Sequence, residues 1–233
     1  RMNIALIIAG GRGMRMGQEI PKQFLTVNDK PVIAYTMEAF QKHPDVDAIA
    51  VVCVDGWESI LAAYARQYGI TKLRHIIPGG ENGQGSIRNG VFELEKHYKP
   101  TDIVLVHDAI RPMVSQAIIS GCIATTAERG SAIVTIPCQE AMLETEDQLS
   151  THAVFPRDNL KRTQTPQGFP LGRLADAHRR ALEKGITNSV ASCTLMVELG
   201  ETVYFCAGSE MNIKLTTPDD MVIFKALLNV ARD

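Results

Sequence analysis

A glycine-rich turn directly after the first apolar segment carries residue types that suit a phosphate chain. The segment from Ala9 to Gly17 reads AGGRGMRMG, and Lys22 follows at short range. Glycines let backbone N–H groups approach anionic oxygens closely, and the cations Arg15 and Lys22 can neutralise phosphate charge. The spacing fits neither the dinucleotide pattern G-x-G-x-x-G nor the Walker pattern ending in Gly-Lys-Ser/Thr. A purely steric turn is the alternative interpretation, but the two cations favour a triphosphate.

A carboxylate stands at the end of a later apolar strand, in the run VHDAIRP that ends at Pro112. We expect Asp108 at the carboxyl edge of the sheet, where open α/β folds bind ligands. Mg²⁺ prefers such carboxylates together with phosphate oxygens. The alternative role for Asp108 is a helix cap after the strand. We interpret His107 as structural, because phosphoryl chemistry at a triphosphate does not call for a histidine at this position.

The elements that position these residues follow from alternating apolar runs and helical patterns. Apolar runs predict buried strands at residues 3–9, 48–54, 103–106, 132–136 and 202–207. Helical spacing predicts helices at residues 31–42, 57–68, 86–98 and 115–128, and a last helix capped by Thr217. The alternation predicts an α/β fold with a mostly parallel sheet and helices on both faces. The length suits one domain over residues 2–233, since Met2 is a plausible start and Arg1 is left aside.

One region breaks the alternation, at about residues 139–161. It carries several charges and has no helical stripe of apolar residues, which favours a β-hairpin that projects from the sheet. Because such arms often pair with another chain, we expect a homodimer that forms through this arm.

Composition and charge exclude several classes of partner. The formal net charge is -2 and 21% of residues are charged, so no basic excess indicates nucleic acid or a membrane surface. No apolar run has the length of a membrane span, and we find no signal peptide. The five cysteines are scattered without C-x-x-C pairs, which indicates small hydrophobes rather than ligands. We therefore expect a cytoplasmic protein without nucleic-acid or membrane partners.

Several short motifs together resemble the methylerythritol-phosphate cytidylyltransferase family. They are AGGRGMRM with PKQF, then VHDAIRP, TPQGF and NIKLTTPDD, in the family's order over nearly the whole chain. Ribitol-5-phosphate and phosphonate cytidylyltransferases are close relatives of this family. The resemblance implies a Rossmann-like nucleotidyltransferase fold with a protruding β-arm, CTP as substrate, Mg²⁺ as cofactor and a homodimer. The implied reaction joins CMP to a phosphate or phosphonate acceptor and releases pyrophosphate.

The resemblance also implies roles for individual residues. The expected nucleotide-binding positions are Ala9, Gly10, Gly11, Gly13, Gly80, Ser86 and Asp108. The expected catalytic cations are Arg15, Lys22, Lys214 and Arg157, of which Arg157 reaches the acceptor phosphate of the neighbouring subunit. Asp108 and Asn212 are expected to bind Mg²⁺, and Arg111, Arg157 and Thr165 to lie near the acceptor.

The sequence departs from the family mainly on the acceptor side. Residues 137–143 read PCQEAML where the family has Pro-x-x-Asp-Thr-x-Lys, and residues 187–193, TNSVASC, lack the family's Thr-Asp pair. The loop GGENGQGS has Gly83 where arginine is usual, and Arg88 is a candidate substitute. The lost polar groups predict a smaller acceptor with fewer hydroxyls. Glu140, beside Ala141 in the expected acceptor site, and Glu144 could meet an amine. The alternative for both glutamates is a solvated surface of the arm. We therefore expect 2-aminoethylphosphonate ahead of D-ribitol 5-phosphate or 2-C-methyl-D-erythritol 4-phosphate.

Two other classes of protein explain less of the sequence. An NAD-dependent dehydrogenase needs an acidic residue about 20 residues beyond its glycine turn, and Asp55 comes far too late. A non-catalytic nucleotide sensor would bind CTP without turnover. Asp108 together with Lys214 favours catalysis over sensing.

Overall fold

The computed structural model of the chain describes residues 1–11 and 19–231. The strands are β1 (Asn3–Ala9), β2 (Thr26–Val27), β3 (Lys30–Pro31), β4 (Ala48–Cys53), β5 (Leu73–Pro78), β6 (Ile103–Asp108), β7 (Ala132–Pro137), β8 (Met142–Glu144), β9 (Ala153–Phe155), β10 (Lys161–Pro170) and β11 (Phe205–Ala207). The helices are α1 (Val32–Gln41), α2 (Glu58–Gln67), α3 (Gly83–Leu94), α4 (Gln116–Arg129), α5 (Leu171–Lys184), α6 (Ser192–Glu198) and α7 (Pro218–Ala231). None of the helices described here is long and apolar enough to cross a membrane.

The main sheet has seven strands in the order β11-β7-β10-β6-β1-β4-β5. Strand β10 runs antiparallel to both of its neighbours, β6 and β7. The other pairs in this sheet are parallel. The predicted mostly parallel α/β fold is therefore confirmed.

Alternate residues of β1 enter two different cores, because successive side chains of a strand point to opposite faces. Ala5 and Ile7 pack in one core with residues of α1, α2 and α4. Ile4 and Leu6 pack in the other with residues of α3, α5 and α6. Burial on both faces explains why β1 is apolar at nearly every position, and it places helices on both sides of the sheet.

The structure corrects several predicted boundaries. Helix α3 begins at Gly83, three residues earlier than expected, because Asn82 Oδ1 accepts a hydrogen bond from Gly85 N at 2.9 Å and caps the helix. The last strand spans Phe205–Ala207 rather than residues 202–207. Strands β5 and β10 and helices α5 and α6 have no counterpart among the predicted elements.

The arm is a short hairpin, as the irregular sequence predicts. Strands β8 and β9 pair antiparallel, with Met142 opposite Phe155. Apolar side chains on this hairpin are exposed to solvent, among them Leu143 at 60% and Val154 at 76%. Such exposure is unusual for large apolar residues that lie close together.

Candidate active site

The first part of the site is the turn that follows β1. Gln23 is buried and its Nε2 donates hydrogen bonds to the carbonyl oxygens of Ala9 and Gly11, at 2.8 and 2.7 Å. Gln23 belongs to the single helical turn Lys22–Phe24, so these bonds hold that turn against the start of the glycine-rich loop. Of the expected loop residues, Gly13 and Arg15 lie outside the described residues.

A second glycine pair packs against this turn. Gly80 N donates to Ser86 Oγ at 3.0 Å, and a Cβ on Gly10 would lie 2.8 Å from the same oxygen. A Cβ on Gly80 would collide with the backbone of Gly85, so glycine is required at this close approach. The structure thus brings together Gly10, Gly80 and Ser86, which are three of the expected nucleotide-binding residues. A groove of about 300 Å³ is lined by Gly10 and Gly80 together with Val54, Asp55, Glu58, Pro78 and Gly79.

The charged part of the site lies at the carboxyl end of β6. Arg111 Nε donates to Asp108 Oδ2 at 3.2 Å, and Lys214 Nζ lies 4.0 Å from the same oxygen. The side chain of Arg111 is mostly buried, whereas that of Lys214 is 47% exposed. Two cations surround one carboxylate, so the cluster keeps an excess of positive charge that suits a phosphate group.

A buried chain of hydrogen bonds connects the backbone of Asp108 to Thr165 and His107. His107 Nε2 lies 3.0 Å from the carbonyl oxygen of Arg111, which can only accept, so this nitrogen carries the hydrogen. Nδ1 therefore accepts from Thr165 Oγ1 at 3.0 Å, and that same oxygen accepts from Asp108 N at 3.1 Å. Burial lowers the pKa of His107 to about 4. The ring is thus neutral near pH 7, which agrees with the structural role expected for it.

Asn212 is fully buried next to this chain. Its Nδ2 donates to the carbonyl oxygen of Thr165 at 2.9 Å and to Gln164 Oε1 at 3.1 Å. Arg111 also donates to the Asn212 carbonyl oxygen, at 2.7 Å. Asn212 therefore joins the segment that carries Lys214 to the strand that carries Thr165.

The charged cluster opens into a cleft of about 250 Å³. One wall carries hydroxyl and amide groups, from Thr163, Gln164, Thr165, Gln167 and Ser192. The other parts of the lining are Asp108, Arg111 and Lys214, together with Ile8, Gly83, Ile87, Val106, Val190 and Ala191. The cleft thus combines a cationic end with a polar wall, although the amides of Gln164 and Gln167 in that wall also hydrogen-bond within the protein.

The expected arm residues lie elsewhere in the chain. Arg157 donates to the carbonyl oxygen of Gln139, and both line a separate hollow at the base of the arm. Glu140 and Ala141 are exposed to solvent, and neither belongs to the described lining of the cleft. Arg88 is half-buried on α3, with its guanidinium close to Gly85. Within one chain the structure therefore does not bring Glu140, Ala141 or Arg157 to the charged cluster.

The chain matches the family model described as IspD, 2-C-methyl-D-erythritol 4-phosphate cytidylyltransferase, over residues 3–230. This chain belongs to the IspD cytidylyltransferase family. It is 43% identical to the ribitol-5-phosphate cytidylyltransferase of Lacticaseibacillus paracasei, over 97% of this chain and 98% of that protein. It is 35% identical to the 2-C-methyl-D-erythritol 4-phosphate cytidylyltransferase of Desulforamulus reducens, over 97% and 95%. The solved Francisella tularensis 2-C-methyl-D-erythritol 4-phosphate cytidylyltransferase superposes with a TM-score of 0.82, at 26% identity over 97% of this chain and 99% of that one.

As a member of the IspD family, the chain is a nucleotidyltransferase that uses CTP, which confirms the expected enzyme class. Sequence reasoning missed the buried amides that support the site, Gln23, Gln84 and Gln167. Gln23 sits inside the PKQF motif next to the expected cation Lys22, and that position is the one signal that could have drawn attention to it.

Proposed function

We propose that this chain transfers CMP from CTP to D-ribitol 5-phosphate and releases pyrophosphate. The observation that carries the proposal is the cluster of Asp108, Arg111 and Lys214 at one end of a polar-walled cleft. The cationic end suits the reacting phosphates, and the hydroxyl and amide wall suits a polyol chain.

The choice of acceptor rests on the cleft and on the relatives together. The relative named for ribitol 5-phosphate is 43% identical to this chain, and the one named for methylerythritol phosphate is 35% identical. Neither name supports the expected 2-aminoethylphosphonate. The carboxylate invoked for its amine, Glu140, is exposed on the arm and outside the described cleft lining. The family's Thr-Asp pair is absent here, yet the cleft retains other polar groups, so its loss does not argue against a polyol.

The chemistry is an in-line displacement at the α-phosphorus of CTP. A phosphate oxygen of the acceptor forms a bond to that phosphorus, and the bond to the oxygen that bridges to the β-phosphorus breaks. The leaving pyrophosphate takes the electron pair. The nucleophile is already an anion, so the protein supplies position and positive charge rather than a base. We assign Lys214 and Arg111 to the acceptor and transferred phosphoryl groups, and Lys22, Arg15 and the glycine turn to the triphosphate.

Asp108 fits the role of Mg²⁺ ligand, because its carboxylate lines the cleft and Mg²⁺ is commonly held by one or two carboxylates plus substrate phosphates. Bound there, the ion would neutralise charge on the triphosphate. Asn212 fits this role less well. Its Nδ2 is already hydrogen-bonded and its side chain is fully buried, although Oδ1 has no partner among the described residues.

We further propose that the arm joins two chains into a dimer and carries Arg157 to the neighbouring cleft. The support is physical. Exposed apolar side chains on β8 and β9 need a partner surface, and Arg157 stands at the base of this arm rather than in the cleft of its own chain.

Pyrophosphate release from CTP and Mg²⁺ with separate acceptors tests the function. The acceptors are D-ribitol 5-phosphate, 2-C-methyl-D-erythritol 4-phosphate and 2-aminoethylphosphonate, and ATP, GTP and UTP replace CTP as controls. We expect the highest kcat/KM with CTP and ribitol 5-phosphate. A preference for either other acceptor would overturn the acceptor assignment, and CTP binding without release for any acceptor would favour a nucleotide sensor.

A further inference from the structure

Ser192, the first residue of α6, has a buried hydroxyl that lacks a hydrogen-bond partner. The residue is 3% exposed, and among the described residues Ser192 Oγ has no hydrogen-bond partner. Leaving a buried hydroxyl unpaired is costly, because the hydrogen bonds it made to water are not replaced. Natural proteins seldom retain such a group without a reason.

The position of Ser192 in the fold gives that reason, because it lines the cleft that contains Asp108 and Lys214. The described residues contain other buried side-chain atoms without a hydrogen-bond partner, on His178, Asn212 and Glu38, although Glu38 Oε1 forms an ion pair with Lys30. None of those three residues belongs to the described lining of this cleft. Ser192 Oγ is therefore the unpaired buried atom that belongs to a residue lining the cleft, and a molecule bound there could reach it after rotation of the side chain.

The backbone around Ser192 is held firmly, so only rotation of its side chain can bring the hydroxyl to a new partner. Cys193 N donates to Gln167 Oε1 at 2.8 Å, which ties the first turn of α6 to β10. Ala191 N donates to Thr194 Oγ1 at 2.9 Å, and Thr194 Oγ1 donates back to the Ala191 carbonyl at 2.8 Å.

A second brace holds the loop that leads to Ser192. Gln84 is 4% exposed and uses both ends of its amide on this loop. Its Nε2 donates to the carbonyl oxygen of Ile186 and its Oε1 accepts from Ser189 N, both at 2.7 Å. The wall of the cleft is thus preorganised, with one hydroxyl left unpaired.

We propose that Ser192 Oγ is a recognition group for the acceptor and hydrogen-bonds one hydroxyl of the polyol phosphate. This assignment rests on the proposed function, because it requires an acceptor with hydroxyl groups. A serine hydroxyl can donate and accept at once, so it matches a polyol hydroxyl in either orientation. It also supplies a polar group one position beyond Ala191, at the place where this sequence lacks the aspartate usual in the family.

The test compares Ser192→Ala with a matched control in the same loop, Ser189→Ala. Ser189 is also buried, but its Oγ lies 2.8 Å from Thr194 Oγ1 and donates to Glu198 Oε1 at 3.1 Å. Ser192→Ala should raise KM for ribitol 5-phosphate about tenfold and leave KM for CTP unchanged, since one substrate hydrogen bond is lost. Its melting temperature should not fall, because no contact within the protein is removed. Ser189→Ala should show the opposite pattern, with a lower melting temperature and little change in acceptor KM.

Acceptors that each lack one hydroxyl identify the group that is recognised. The monodeoxy ribitol 5-phosphate that lacks the recognised hydroxyl should have the same KM with the wild-type and Ser192→Ala enzymes. The other monodeoxy compounds should still show a higher KM with Ser192→Ala than with the wild type. An unchanged acceptor KM in Ser192→Ala, with an active wild type, would contradict the role of Ser192 alone. A lower melting temperature together with an equal rise in KM for the acceptor and for CTP would also contradict it. If the wild type released no pyrophosphate with any polyol phosphate, the proposed function and this inference would both fall.

Discussion

Thr165 Oγ1 accepts a hydrogen bond from Asp108 N at 3.1 Å, although the two residues are 57 positions apart in the chain. The same oxygen donates to His107 Nδ1, so one hydroxyl connects the antiparallel strand β10 to the carboxyl end of β6. This connection places the Asp108 carboxylate next to Arg111 and Lys214. The geometry of the charged cluster therefore depends on a hydroxyl whose described hydrogen bonds go to Asp108 N and His107 Nδ1 and not to the side chains of the cluster.

Replacing Thr165 with valine keeps the shape of the side chain and removes this connection. The Asp108 N–H and His107 Nδ1 would both be left unpaired, which should cost about 1–3 kcal/mol of unfolding free energy. Displacement of Asp108 should also lower kcat, by up to about 10²-fold. Thr165→Ser keeps the hydroxyl and should stay near wild type in steady-state assays and in urea unfolding. If Thr165→Val had wild-type kcat, this role of the hydroxyl would be wrong.

Gln23 offers a test of the turn after β1. Gln23→Leu removes both donors to the carbonyl oxygens of Ala9 and Gly11, so the start of the loop loses its anchor. We expect KM for CTP to rise about tenfold and KM for the acceptor to stay constant, since each bond contributes about 1 kcal/mol.

The control for Gln23 is Gln41→Leu. Gln41 makes a comparable pair of amide hydrogen bonds, to Thr71 Oγ1 and from Lys72 N, away from both cavities of the site. It should lower stability without changing KM for CTP. Equal effects of the two substitutions on KM for CTP would show that Gln23 has no special role at the nucleotide site.

The proposed sharing of one site between two subunits predicts complementation between inactive variants. Lys214→Ala and Arg157→Ala should each lose about 10²–10³-fold in kcat, as expected for removal of one electrostatic stabiliser. In a mixed dimer, one cleft would combine Lys214 of the Arg157→Ala chain with Arg157 of the Lys214→Ala chain.

Co-expression with two different affinity tags isolates the mixed dimer for assay. It should recover about half of the wild-type activity, because one of its two clefts is complete. If a verified mixed dimer recovered no activity, the shared site would be contradicted. Lys214 and Arg157 would then act in the site of the same subunit, or one of the two would not belong to the site.

His178 predicts a specific pH dependence of stability. It is 1% exposed, and burial lowers its pKa to about 4, with Arg88 contributing. The unfolded chain, with a histidine pKa near 6.5, binds the proton more tightly. The contribution of neutral, buried His178 to the free energy of unfolding should therefore be complete above about pH 6.5. It should be lost progressively as the pH drops towards 4.

His178→Leu removes this titrating group. The stability difference between wild type and variant should change by about 1.4 kcal/mol per pH unit within that window and be constant above it. Urea unfolding of both proteins across about pH 4 to 7 measures the difference. A difference that did not vary with pH would mean that His178 is not the group that titrates.

Some of the fold and the site could be predicted from the sequence because the relevant signals are local. β1 is buried on both faces and is therefore a continuous apolar run, and the glycines after it mark the turn. Asp108 ends another such run, so its position at the edge of the sheet follows from the parallel arrangement.

Other features escaped prediction because they depend on contacts distant in sequence. β10 contains Thr165-Pro166 and Gly168, which are residues typical of loops, and it becomes a strand through its pairing with β6 and β7. The amides of Gln84 and Gln167 bond to backbone groups 102 and 26 residues away, and no local pattern indicates this. The sequence favoured a phosphonate acceptor because the loss of the Thr-Asp pair was visible in it, whereas the polar wall of the cleft, which supports the proposed ribitol 5-phosphate, was not.

The most direct test of the central claim is to follow the α-phosphorus of CTP by phosphorus NMR, with D-ribitol 5-phosphate and Mg²⁺ present. We expect the CTP signals to be replaced by those of free pyrophosphate and of a diphosphate that links cytidine to ribitol. This product should form with the wild type and be strongly reduced with Lys214→Ala. Unchanged CTP, or conversion to CMP without a ribitol-linked product, would contradict the account.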